Sequence, residues 1–428
     1  MKEVNVTPIL EEVVDWRFKG FPASVHPVTI GNIGRQHWNI FKGDLMFPIM
    51  LLKERALKHN IDLMAAYCSR NGITLAPHGK TPMSPQIAKL QLDAGAWGIS
   101  VANIFQARVF HSHGMNRILL ANELLDTAGI EWVSTELGRD PDFEFFCLID
   151  SLTGVSILND ALQRLRTTRP FQILLEMGVP TGRTGCRTIE EACAVAKAID
   201  AAPHLQLAGV EGYEGAVAAE TIEERIAAVD RFLPRIRDLT MELYAADLFT
   251  GREEIIVSAG GSLFFDRVVE ILAAPWDLPV SVRIVVRSGS YMAHDRDTYQ
   301  TTSPLADRGE ELDRLEPALE LWGTILSRPE PELAIANFGK RDAPYDLRLP
   351  MPFALRRGDG TREVGGQVEV TALNDQHAYL WVDPELDVAP GDLIGCDISH
   401  PCTTFDKWQL MPLVDDHYNV TGAIRTFF

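Results

Sequence analysis

Residues 172–213, QILLEMGVPTGRTGCRTIEEACAVAKAIDAAPHLQLAGVEGY, decide the fold. Gln172–Glu176 is a short apolar run of strand length, and Leu205–Glu211 is another. Between them, Ile189–Ile199 repeats apolar residues at three- and four-residue spacing, the period of a helix with one buried face. Strand, helix and strand in this order form the unit from which parallel sheets are built.

The same unit recurs on both sides. Toward the N-terminus, Ile73–Pro77, Trp97–Ala102, Arg117–Ala121 and Phe143–Ile149 read as strands; toward the C-terminus, Glu254–Ser258 and Val282–Arg287 do. Helical spacing separates most of them, as in Ser84–Asp93, Asn103–His113 and Thr221–Leu239. Eight strands alternating with helices predict an α/β fold, a (β/α)8 barrel over residues 46–304. A doubly wound open sheet shares the pattern, because alternation does not by itself show closure. After Pro304 the texture changes to short β-rich runs, Gln367–Thr371, Ala378–Val382 and Asp392–Ile398, bounded by Gly, Pro, Asn and Asp. These predict a separate C-terminal antiparallel β domain over residues 305–428, with residues 301–316 as the connector. Residues 1–45, which hold Trp16, Phe18 and Trp38, are expected to pack with that β domain.

Composition narrows the function classes. The 428 residues are 46% hydrophobic, which is globular rather than disordered. The net charge of −19 argues against binding nucleic acid by phosphate neutralisation. No apolar stretch reaches the roughly 20 residues that a spanning helix needs, so no membrane is expected. The first residues carry acidic groups rather than a basic region followed by an apolar run, and are not read as a secretory signal. Six cysteines lie scattered without CxxC spacing, which suits reduced thiols in a cytoplasmic protein.

Barrels of this kind collect reactive groups at the C-terminal ends of their strands. Those ends read Pro77-His78-Gly79-Lys80-Thr81, then Asn103, Asn122, Arg183 and Tyr213, then Ser258-Ala259-Gly260-Gly261-Ser262, then Ser288-Gly289-Ser290-Tyr291. Lys80 is a candidate amine nucleophile toward an aldehyde, activated by confinement and neighbouring positive charge. The other reading is a loop lysine paired with a carboxylate. The turns at 258–262 and 288–291 offer backbone N–H groups and hydroxyls on adjacent strands, an arrangement that binds phosphate. In the β domain, His400-Pro401-Cys402 sets an imidazole and a thiol two residues apart, which in an extended chain would reach one cation. His377 is a third polar candidate near it in sequence.

Taken together and in order, these motifs resemble the D-serine dehydratase and D-threonine aldolase family of alanine-racemase-like pyridoxal enzymes. Pro77–Thr81 resembles its cofactor-lysine motif, and Asp93–Ser100 its second-strand segment. Leu175–Gly178 with Gly182–Gly185, Gly209–Tyr213, Ser258–Ser262, Gly339–Asp342 and His400–Phe405 follow in sequence. The resemblance covers residues 45–410 and implies pyridoxal 5'-phosphate held as a Schiff base on Lys80, which also serves as base at the substrate α-carbon. It implies Arg183 at the ring oxygen or substrate carboxylate, and Tyr213 beside the ring. Ser258, Gly260, Gly261, Ser262, Gly289, Ser290 and Tyr291 would surround the phosphate. His400 and Cys402 would bind zinc; the aldolase branch carries an aspartate in place of the cysteine, so Cys402 points to dehydration. A small-molecule D-amino acid with a β-hydroxyl is the implied substrate, in a homodimer. The family's lysine motif often continues with a histidine where this chain has Pro82, a departure on the substrate side. A racemase would need a second acid/base, for which Tyr345 and Tyr379 are the tyrosines available, and a non-catalytic cofactor carrier would not need the β domain.

Overall fold

The computed structural model describes residues 3–22, 27–309 and 313–428. Residues 310–312 of the expected connector, and a few of the first 45, lie outside them. The chain forms two compact units. The first holds Met64–Lys80 and Ala88–Gly289; the second holds Asn5–Leu63, Thr81–Ile87 and Ser290–Phe428. The chain therefore passes from one unit to the next between Lys80 and Thr81, and again between Gly289 and Ser290.

The first unit is an eight-stranded parallel sheet. Its strands are β1 (Thr74–Leu75), β2 (Ile99–Val101), β3 (Arg117–Glu123), β4 (Glu144–Ile149), β5 (Phe171–Met177), β6 (Leu205–Gly212), β7 (Glu254–Ser258) and β8 (Ser281–Val286). Each strand from β2 to β8 pairs with its sequence neighbour, and β8 pairs with β1 through Val285↔Thr74 and Val286↔Leu75. Beyond β1, His78 makes a parallel bridge to Ser100 of β2. That bridge joins the two ends of the sheet and curls it into the barrel that the strand–helix alternation predicts. Its interior is filled by Ala76, Leu119, Phe146, Leu148, Leu174, Ala208, Ile256 and Val285, one or two from most strands.

The loops that lead from strand to helix carry the chemistry of helix capping. Asn103, Asp126, Ser151, Thr188 and Thr221 each accept a hydrogen bond from a backbone N–H of the helix that follows. Thr221 and Glu224 form a reciprocal capping box. These caps fix where each loop ends, and so fix the strand ends on which the candidate groups stand.

The second unit is an antiparallel sheet whose central strand, Leu319–Glu330, pairs with Leu393–Asp397, Ile49–Lys53 and Leu333–Ala336. Phe18, Phe21, Ile33, Ile49, Leu51, Trp322 and Leu410 share one buried cluster, with Trp38 packed against it. Trp16 remains 85% exposed. Among the described residues, no helix is long and apolar enough to cross a membrane.

Candidate active site

The segment after β1 is pinned by its neighbours. The N–H of Gly79 donates to the carbonyl of Ser100 at 2.7 Å, and the Ser100 hydroxyl donates to the carbonyl of Ala76 at 2.8 Å. The N–H of His78 reaches the carbonyl of Ser288. Position 79 must be glycine, because a Cβ there would lie 2.4 Å from the Phe110 ring. Lys80 follows this fixed platform. It is exposed and makes no ion pair or hydrogen bond among the described residues, so the carboxylate-paired loop lysine is not what the structure shows. His78, enclosed and facing the charges of Lys80, Arg287 and Arg183, is held well below its usual pKa and is neutral.

Around the rest of the barrel mouth stand carboxylates to which sequence reading gave no role. Glu123 ends β3, Asp150 follows β4, Glu176 lies near the end of β5 and Glu211 near the end of β6. Oxygens of Glu123, Asp150 and Glu176 lie within 4.8 Å of one another. Burial, then the neighbouring Glu176, pushes Glu123 up to about 8; burial, then the Glu211 charge, pushes Glu176 up to about 7. Two such carboxyls side by side hold a proton between them near neutral pH. Thr184 donates to Glu176 at 2.9 Å, and the Gly185 N–H donates to Asp150 at 3.0 Å. Glu211 pairs with Arg287, and both are buried.

The remaining first-unit candidates group around β6, β7 and β8. The Arg183 guanidinium stacks 4.5 Å above the centre of the Tyr213 ring. The Ser258 hydroxyl donates to the carbonyl of Val285 at 3.0 Å and accepts from Arg287, so it faces inward. The N–H groups of Gly260 and Gly261 donate to the two oxygens of Glu214 at 2.8 and 2.7 Å. By contrast, Ser262 and the buried Gly289 make no hydrogen bond among the described residues. An unpaired lysine and the free donors of Ser262 and Gly289 on adjacent strand ends fit a phosphorylated aldehyde.

Within the second unit, Cys402 lies against His400, with the hydroxyls of Thr81 and Ser290 at 3.2 and 3.4 Å from its sulfur. Burial pushes the thiol up, but the hydrogen bonds from His400, Ser290 and Thr81 outweigh it and hold the thiol below its usual value. His400 is raised to about 9, first by its bond to Cys402 and then, against burial, by Asp346. Its Nδ1 lies 2.6 Å from Asp346, whose other oxygen accepts from Thr403 at 2.8 Å. Nδ1 is thus committed to Asp346, which leaves Nε2 as the nitrogen for a cation. A thiolate and an oriented imidazole are donors that suit zinc.

The backbone corrects one step of the sequence argument. His400 and Cys402 do not share a side through extended geometry. Pro401 is αR, at φ −54°, and Cys402–Phe405 forms a single helical turn. Tyr291 is buried in the adjacent turn Ser290–Met292. His377 lies in a turn beside Lys340, Asn374, Asp375 and Gln376, and its side chain has no hydrogen-bond partner among the described residues. A lone acidic residue inside an apolar strand, such as Glu176 or Glu211, was the available signal for the missed carboxylates, since a charge there must have a reason.

Residues 52–246 match the model of the alanine racemase N-terminal domain, and residues 318–414 match that of the putative serine dehydratase domain. The 3-hydroxy-D-aspartate aldolase of Paracoccus denitrificans (strain Pd 1222) is 26% identical over 375 residues, 86% of this chain and 89% of the relative. The D-threonine aldolase of Arthrobacter sp is 26% identical over 377 residues, with the same coverage. In fold, the D-threonine aldolase of Filomicrobium marinum aligns at a TM-score of 0.72 with 22% identity, over 90% of this chain and 95% of that one. The D-threo-3-hydroxyaspartate dehydratase of Delftia sp. HT23 aligns at 0.68 with 18% identity, over 90% and 98%.

Proposed function

We propose that this chain, a member of the D-serine dehydratase and D-threonine aldolase family of alanine-racemase-like, fold-type III pyridoxal-phosphate enzymes, is a lyase for β-hydroxy D-amino acids that works by dehydration. The observation that carries the reading is the His400–Cys402 pair itself, side by side at the start of one helical turn, because the resemblance assigns a histidine–cysteine pair to the dehydratase branch. A D-threo-3-hydroxyaspartate dehydratase has been solved as a histidine-to-alanine mutant, and as a cysteine-to-alanine mutant in the metal-free form. Zinc as the ion, a homodimer and a cytoplasmic location belong to the same proposal.

When bound, pyridoxal phosphate supplies an electron sink that acidifies the substrate α-carbon, and zinc supplies Lewis-acid polarisation of an oxygen. The chain's own groups do the rest. Lys80 would hold the cofactor through its amine and would serve as the base at the substrate α-carbon. Arg183 binds the carboxylate end of the substrate or the ring oxygen, steadied by Tyr213. Asp346 would hold His400 by Nδ1 in the tautomer that leaves Nε2 for the metal, and the hydroxyls of Thr81 and Ser290 would support the Cys402 thiolate. Loss of the β-hydroxyl as water, followed by hydrolysis, gives a 2-oxo acid and ammonia.

A second reading uses the same groups to break the Cα–Cβ bond, releasing glycine and an aldehyde. The two relatives at 26% identity carry aldolase names, which favours it. Product analysis separates the two. With D-serine, D-threonine and 3-hydroxy-D-aspartate as substrates, dehydration yields ammonia in equal amount with a 2-oxo acid, and glycine from any of them as the main product would overturn the dehydratase reading.

A further inference from the structure

We infer that Glu214 is a positioning residue that clamps the turn after β7, and that the cofactor phosphate is therefore held by Ser262 and Gly289 rather than by the amides of Gly260 and Gly261. The inference rests on the proposal that the barrel binds pyridoxal phosphate. Glu214 is fully buried, directly after Tyr213, in the one-turn helix Glu214–Ala216. Its two oxygens each accept one of two consecutive backbone N–H groups, Gly260 at 2.8 Å and Gly261 at 2.7 Å. Bonds from neutral amides to a carboxylate are among the stronger hydrogen bonds a protein makes.

Every other backbone bond of this turn is also made inside the unit. The Ala259 N–H donates to Val285, the Gly260 carbonyl accepts from the Arg287 N–H at 2.8 Å, and the Gly261 carbonyl accepts from the Ser288 hydroxyl at 2.7 Å. Gly260 sits at φ +94°, a conformation that disfavours side chains, and a Cβ there would meet Val286 at 2.9 Å. The segment that carries Glu214 is itself held by Arg225, which donates to the carbonyls of Val217 and Gly215 at 3.1 and 3.0 Å. The turn is thus tied to β6 and β8 with no glycine amide left over, and a dianionic phosphate at those amides would have to expel a buried carboxylate. Ser262 and Gly289, the next residues along on the two strand ends, keep their donors.

The test compares pyridoxal 5'-phosphate with pyridoxal, which lacks the phosphate, on the enzyme stripped of cofactor. Affinity is read from visible absorbance, and occupancy of Lys80 from borohydride reduction followed by mass spectrometry. Glu214→Ala should weaken pyridoxal phosphate about tenfold or more while leaving pyridoxal unchanged. Glu214→Gln, which keeps one carbonyl acceptor in the same shape, should fall between alanine and wild type. Ser262→Ala should reproduce the phosphate-specific loss. Equal affinity in Glu214→Gln and wild type for both ligands, or tighter pyridoxal phosphate in either Glu214 variant, would overturn the inference, the latter by making the carboxylate a competitor. Wild-type enzyme that traps no cofactor on Lys80 would instead sink the cofactor proposal on which the inference rests.

Discussion

Lys80, Glu123, Glu176, Glu211 and Arg287 all stand at or just past the C-terminal ends of parallel strands, whereas His400 and Cys402 stand on a proline-led helical turn and depend on side chains for their state. In the barrel unit, the backbone sets the positions: strand pairing fixes each Cα, and capped helices fix each loop. In the β unit, the hydrogen bonds set the chemistry: Asp346 orients His400, and His400, Ser290 and Thr81 lower the Cys402 thiol. Substitutions in the barrel mouth should therefore change charge balance with little loss of shape, while substitutions in the β unit should change ligand quality sharply.

The largest effect is expected from the β unit. Cys402→Ala removes a thiolate ligand and should abolish lyase turnover and zinc retention, with cofactor still trapped on Lys80. Asp346→Asn leaves both proposed ligands in place but loosens the imidazole, and zinc affinity should fall roughly 10–100-fold. Metal content after dialysis against a graded chelator measures both. Retention of zinc by both variants would show that these hydrogen bonds do not build a metal site, and the contrast between the units would fail.

The smallest effect is expected from the carboxylates. Glu123 has its pKa raised to about 8 in the folded chain, so the folded state holds a proton that the unfolded chain releases near pH 4.5. Its contribution to stability is present below the unfolded value and is lost as pH rises through 8. The wild-type melting temperature should decline between about pH 5 and 8 by a few degrees, and Glu123→Gln should flatten that decline. A Glu123→Gln profile parallel to wild type would remove the proton from Glu123.

How much of this was legible in the sequence follows the same division. Glu254–Ser258 and Ala378–Val382 are strands at the expected limits, because apolar alternation and flanking turn residues mark both ends. The first strand, expected over Ile73–Pro77, is a regular strand only at Thr74–Leu75: the Ile73 N–H turns back to the carbonyl of Cys68, and Pro77, which has no N–H to donate, only accepts from Ser100. The helix expected to end at Leu239 runs on to Ala245 despite Pro234, held by the buried face of Phe232, Leu233, Ile236 and Leu243. Lys80 and the His400–Cys402 pair could be put forward as candidates because each sits inside a short motif. Glu214 with Gly260, Glu211 with Arg287, and Asp346 with His400 were not, because each pair is joined by folding across 46 to 76 residues of chain. Spacing in sequence carries no trace of such contacts.

The account turns on Lys80 as the residue that carries the cofactor. Borohydride reduction of the enzyme with pyridoxal phosphate, followed by peptide mapping, tests it most directly. A phosphopyridoxyl group on Lys80 alone, absent from Lys80→Ala, is the expected result. A modified lysine elsewhere, or equal labelling of Lys80→Ala, would contradict it.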